Sequence, residues 1–309
     1  MAEFSPSAAA FSGFGLVRRR PGAVAAWAVA LLVFGLAVWA AMFALGLPTA
    51  IHAAFLQAEN PQDPAVALKA MQTLLPLQGG LALLELAFYP ILISAVLRTF
   101  LDPRPRPFGG ISIGADELRM LWLIIRLCIV FVVVEIVSLL AGMIAAMLIV
   151  MLGRIVHPPE IVFVLLHTVV LLAVFASLIY VMVRLSLATV VTAAEKRRGL
   201  RGSWRLTKGH FWSLFGAYVL TAFIVLACEA LLLAAMLAVV GIGLFVTHTS
   251  LLDAFKVVLN PGSNPTLIVV VLVGNAAVAW FFAALFAVMF GPSVEAYRAF
   301  SALPEPTAS

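Results

Sequence analysis

Charge is scarce in this chain of 309 residues: Asp, Glu, Lys and Arg make up 11% of it and apolar residues 64%, against about a quarter and a half in soluble domains. No globular shape of this length hides so much apolar surface, and with a mean hydropathy of +1.15 lipid must be the solvent for most of it. Cysteine is scarce too. Cys128 and Cys228 are the only two, both in apolar runs without a CxxC or CxxH neighbourhood, which excludes a disulfide framework and a thiolate metal or redox centre. Buried, inert thiols are expected. Polar linkers and low-complexity tracts are missing, so one integral domain, residues 23–300, is expected between an N-terminal segment, 1–22, and a tail, 301–309. The net charge is +5. The basic residues border apolar runs rather than forming a polar domain, which argues against a nucleic-acid partner.

A membrane span needs roughly 20 apolar residues. Qualifying runs lie at about Ala23 to Gly46, Gly79 to Leu97, Met120 to Leu152, Ile161 to Val183, Phe211 to Phe245 and Leu267 to Phe290. They lack the period-2 alternation of a barrel strand, so an all-α polytopic membrane helix bundle of six spans is expected. The third and fifth runs imply tilt, kinks or helix beyond the hydrocarbon. The first, though preceded by Arg18, Arg19 and Arg20, is longer than a signal-peptide core and reads as a retained helix. Before it, Phe4, Ala8, Phe11 and Phe14 fall near one helical face, as in a helix lying in the headgroup layer.

With the N-terminus inside, fifteen of the nineteen Lys and Arg residues fall on the cytoplasmic side. Lys69, Arg154 and Lys256 fall outside, and Arg126 lies within a span near enough to its end to snorkel. Both termini of a multi-pass protein are therefore expected in the cytoplasm. The densest basic stretch, "EKRRGLRGSWRLTKGHFW", is then the second cytoplasmic loop. If residues 199–212 are helical, Arg201, Arg205 and Lys208 share a face, with Leu200, Trp204, Phe211 and Trp212 along the acyl boundary. Arg201, Trp204, Arg205 and Lys208 are the candidate headgroup-binding residues, facing the membrane lipids of an anionic cytoplasmic leaflet; a plain topology signal with a snorkelling flank is the other reading. In the first cytoplasmic loop, alternating prolines are expected to hold Asp102 to Phe108 extended as a stiff connector. "AFYPILISAVLRTF" and "MFGPSVEAYRAF" end the second and sixth runs alike, and the long span after each cytoplasmic loop carries one glutamate, Glu135 and then Glu229, a pattern that internal duplication would produce.

The stretch "RLSLATVVTAAEKRRGLRGSWRLTKGHFWSLFGAYVL", with Ser203, Leu206, Thr207, Lys208, Gly209 and Trp212, resembles the membrane domain of bacterial glycerophosphoryl diester phosphodiesterases and its stand-alone six-helix inner-membrane relatives. "GPSVEAYR", Gly291 to Arg298, resembles that family's C-terminal end. Ala188 and Thr189 stand where the family usually has a proline. In that family the chemistry belongs to a separate soluble barrel opening with a His-Arg-Gly motif, and this chain has neither. The resemblance thus implies a multi-pass module of the bacterial inner (plasma) membrane and not an enzyme.

Ionisable groups at membrane depth mark candidate sites. Counted from the cytoplasmic ends at 1.5 Å per residue, Glu85, Glu135, His167, Glu229 and Asn275 lie roughly 20 to 27 Å deep, one in each of five spans. They fit interhelical hydrogen bonding, a cavity for a lipid or small amphiphile, or a proton or cation path. "HPPE", His157 to Glu160, supplies two possible ligands without a third, and His248 is in another outer loop, so neither a metal nor any other cofactor is expected. The glycine pairs lack a phosphate-binding context. In the outer loops, residues 47–78 contain a possible surface helix in "PAVALKAMQTLL", and residues 246–266 end in the turn-rich "NPGSNP". The leading expectation is a non-enzymatic module that binds lipid or supports a membrane-protein partner; the alternative is a small-molecule or ion transporter using the mid-depth polar groups.

Overall fold

The computed structural model describes residues 4–44, 64–102, 104, 106–157, 159–196, 199–247 and 265–301. The readings at His248, Lys256 and "NPGSNP", and the tail beyond 301, lie outside them. Among the described residues the chain is all-α, with no strand: α1 (Pro6–Arg19), α2 (Pro21–Ala44), α3 (Pro64–Leu101), a 3-10 turn (Pro107–Gly110), α4 (Ala115–Val156), α5 (Glu160–Leu185), α6 (Ala188–Glu195), α7 (Gly199–Leu206), α8 (Phe211–Thr247) and α9 (Pro265–Ser301). Six segments among the described residues are long and apolar enough to cross a membrane: Pro21–Met42, Gln78–Leu101, Pro107–Val156, Glu160–Glu195, Phe211–Ile242 and Leu272–Ser301. At most 33% of the residues in their most apolar windows are buried in protein, and none in those of α5 and α8. Leu, Ile and Val so displayed have only a bilayer to bury them. The protein is a multi-pass membrane protein.

Two details depart from the sequence reading. "PAVALKAMQTLL" is not a separate surface helix, because α3 runs unbroken from Pro64 for 38 residues, about 57 Å at helical rise. Cys128 is exposed and Cys228 half-buried; on a lipid-facing helix an apolar thiol is enclosed by hydrocarbon rather than by protein.

The chain divides into two compact units. One comprises Met1–Ala9, Ile113–Val219 and Pro292–Ser309, the other Ala10–Ser112 and Leu220–Gly291. In the first, α4 and α5 pair as an antiparallel hairpin, Ser138 Oγ lying 2.8 Å from Ser177 Oγ. Gly142 lets Val174 approach, its Cγ2 3.0 Å from where a Cβ would stand. The core of this unit gathers at the basic end, where Val183, Leu187, Val191, Leu214, Ala296 and Phe300 are buried together. Phe4, ahead of α1, packs on Phe300 with ring centroids 5.2 Å apart. Phe4 is thereby used in packing, while Phe11 and Phe14 stay exposed, the face an interfacial helix presents to lipid.

In the second unit, Trp27 of α2 is wholly buried and its Nε1 donates to the Gly109 carbonyl at 2.9 Å. Phe34 stacks on Phe88 at 4.1 Å. Gly13 of α1 meets the α9 backbone at Ala287 and Val288 so closely that any Cβ would collide with it. The first basic loop does not stay extended to Phe108. Arg106 is extended, but Phe108, Gly109 and Gly110 have φ of 50, 62 and 78°, because the Trp27 bond and a 3.3 Å bond from Thr99 Oγ1 fold the Gly109 carbonyl inward. A Cβ on Gly109 would stand 2.9 Å from the Ala23 carbonyl oxygen, so both the turn and the close approach call for glycine.

Candidate functional site at the basic end of the first unit

Helix α5 ends at Leu185, and its last carbonyls need donors from outside the helix. Two hydroxyls from α7 and the turn after it supply them: Ser203 Oγ donates to the Arg184 carbonyl at 2.8 Å, and Thr207 Oγ1 lies 3.1 Å from the same oxygen. Ser203 Oγ also accepts the Leu187 N–H at 3.2 Å. Both residues are wholly buried. Helix α7 is thereby pinned across the end of α5.

Glycines set how closely α7 meets α6. A Cβ on Gly199 would overlap the Ala188 carbonyl oxygen and Thr192 Oγ1, and one on Gly202 would lie 2.7 Å from a Val191 methyl. With that face fixed, Arg201, Trp204 and Arg205 are turned outward and exposed. Lys208 is exposed as well but does not continue their face. The single helix expected over 199–212 is interrupted at Thr207–Gly209, where Gly209 has a φ of 85° and the Thr207 hydroxyl is held by α5. Trp212 therefore belongs to α8, where it is 75% exposed.

The structure adds a residue that sequence reading treated only as a topology marker. Arg184 is 5% exposed, its guanidinium 4.5 Å from the Trp204 ring centroid and 6.0 Å from that of Tyr180, and its Nε has no hydrogen-bond partner among the described residues. A buried cation resting on aromatic faces is stabilised by their quadrupoles. Only its position at the end of a span was visible in the sequence; its burial follows from the α7 crossing.

A cleft of about 190 Å³ opens beside this hairpin, lined by Arg119, Trp122, Arg126, Thr192 and Lys196. The Arg126 guanidinium lies 4.8 Å from the Trp122 ring centroid, and Arg119 pairs with Asp116. Three cations, Arg119, Arg126 and Lys196, thus line one cleft, with no hint of it in sequence spacing because they come from α4 and from the end of α6.

Of the five mid-depth polar residues, Glu135 and His167 lie in the first unit, at different levels. Across the α4–α5 hairpin Ser138 faces Ser177 and Gly142 faces Val174, so facing residue numbers sum to about 316 and Glu135 stands opposite about residue 181, whereas His167 is some 20 Å further along the axis. Glu135 thus lies near the level of Arg184, far shallower than a count from Met120 implies. The first turns of α4 extend past the end of α5 and run beside α6 instead. Half-buried His167 places Nδ1 2.9 Å from the carbonyl of Phe163 in its own helix. In the second unit Glu85 and Asn275 are exposed and Glu229 is half-buried. No group of three His, Cys, Asp or Glu placed to hold a metal ion occurs among the described residues. Comparison of the chain with protein-family models, curated proteins and solved structures finds no match.

Proposed function

We propose that this is a non-enzymatic protein of the bacterial inner membrane, its basic ends cytoplasmic, in which the α6–α7 hairpin holds anionic lipid headgroups and serves as a scaffold or accessory module for membrane proteins. One observation carries the reading: Arg201, Trp204 and Arg205 project from a helix whose opposite face is locked by Gly199, Gly202 and Ser203. A rigid helix offering cations beside an indole is suited to the headgroup layer, where each cation contributes about 1 kcal/mol near an anionic surface and the ring prefers the interface. Six crossings return the chain to its starting side, in keeping with basic clusters on a single side. The resemblance to the phosphodiesterase membrane domain fits this reading, since Ser203, Thr207 and Gly209 of the resembling stretch build the hairpin and its exit.

Native mass spectrometry of the detergent-purified chain tests the reading. Phosphatidylglycerol is expected to be retained in preference to phosphatidylcholine, and Arg201→Gln/Arg205→Gln/Lys208→Gln to weaken that preference by up to roughly a hundredfold. An unchanged preference in a folded triple variant would count against it.

A further inference from the structure

The second unit contains another basic cleft, of about 340 Å³, lined among others by Arg19, Arg20, Thr99, Arg104, Arg106 and Phe108. Its four guanidinium groups come from two segments some eighty residues apart in sequence. They are held in one place by a built scaffold: Arg20 Nη1 donates to the Arg104 carbonyl at 3.2 Å, the Trp27 bond fixes Gly109 at 2.9 Å, and Arg98 Nη1 donates to the Gly110 carbonyl at 3.1 Å. Like charges so gathered repel one another, and an arrangement that enforces their proximity favours an anion between them. Asp102 does not fill that role. Its carboxylate is already engaged by Arg106 at 2.9 Å and by the Arg104 N–H at 3.0 Å; the Arg104 charge also helps to lower its pKa but forms no ion pair with it, and among the described residues Arg19 pairs with no carboxylate.

The rim supplies the second half of the recognition. Phe108 is 81% exposed and held at a φ of 50°, a region that bulky residues rarely adopt. The turn fixes an aromatic ring outward at the mouth of a cationic cleft, which suits an amphiphile and gives nothing to a free anion.

We propose that this cleft binds the phosphate of an anionic phospholipid, with the Arg19, Arg20, Arg104 and Arg106 guanidinium groups around the phosphate and Phe108 against the lipid's apolar portion. The site shares no residue with the α7 platform and stands or falls separately from it.

The test uses the full chain carrying Arg201→Gln/Arg205→Gln/Lys208→Gln, so that lipid on the platform does not contribute. Phosphatidylglycerol is titrated under native mass spectrometry, with inorganic phosphate as competitor. Arg19→Glu/Arg104→Glu should reduce the remaining lipid binding at least tenfold, and Arg19→Lys/Arg104→Lys should keep most of it. Phe108→Ser should weaken lipid binding severalfold without creating a phosphate-binding preference. Should the charge reversal fail to fold, Arg19→Gln/Arg104→Gln carries the same expectation at a smaller loss. Undiminished lipid binding in a folded charge-reversed or neutralised variant overturns the proposal. So does displacement of the lipid by equimolar inorganic phosphate together with indifference to Phe108→Ser, which would make a free phosphate the occupant.

Discussion

At Gly199 a hydrogen stands where any other residue would place a carbon inside the Ala188 carbonyl and the Thr192 hydroxyl. Overpacking of this kind costs about 1–3 kcal/mol, so Gly199→Ala should lower the thermal midpoint and loosen α7. Gly216→Ala, in α8 with open space where its Cβ would stand, should be neutral or stabilising by up to about 1 kcal/mol. Equal behaviour of the two variants in a thermal melt would mean that the α6–α7 contact is not as described. The same scale shows what residue type alone conceals. Ser203 and Thr207 were visible as part of a motif, but their work is to satisfy the Arg184 carbonyl, which only the return of the chain across the end of α5 reveals. Arg184 reads as a border cation until Trp204 covers it.

Among the elements, the α4–α5 hairpin makes the sharpest claim, because its register decides which polar groups share a level. In a background with Cys128 and Cys228 replaced, Ser138→Cys/Ser177→Cys should cross-link within the chain on mild oxidation, since the two hydroxyl oxygens lie 2.8 Å apart. Glu135→Cys/His167→Cys should not, being some 20 Å apart along the axis; the reverse result would restore a shared Glu135–His167 site. The loop at Asp102 offers a pH-dependent test. Its carboxyl is held below the ordinary carboxylate range by the Arg104 N–H first and by Arg106 next. The depressed value means that the interaction is complete above the ordinary carboxylate pKa and is lost as pH falls through the lower, folded one. Exchange of the Arg104 amide, corrected for intrinsic rates, should accelerate on acidification through that range, and Asp102→Asn should abolish the step. Element positions were legible where apolar runs are long. The break at Thr207–Gly209 was not, since a basic amphipathic pattern continues across it while the stop comes from a hydroxyl held by another helix.

For the whole molecule, composition carried most of what could be read. A chain with 64% apolar and 11% charged residues has lipid as its solvent, and the six apolar runs coincide with six helical segments of membrane-spanning length. The basic clefts were not legible, because each gathers cations from segments distant in sequence, and pairing of segments follows from packing that periodicity does not encode. Both lipid-binding proposals require that the basic hairpin and loops face the inner, anionic leaflet. The direct measurement is labelling of a single cysteine, Arg201→Cys in a chain free of Cys128 and Cys228, with a membrane-impermeant maleimide in intact cells and in inverted vesicles. The account predicts modification in the inverted vesicles alone; modification in intact cells would place α7 outside and contradict it.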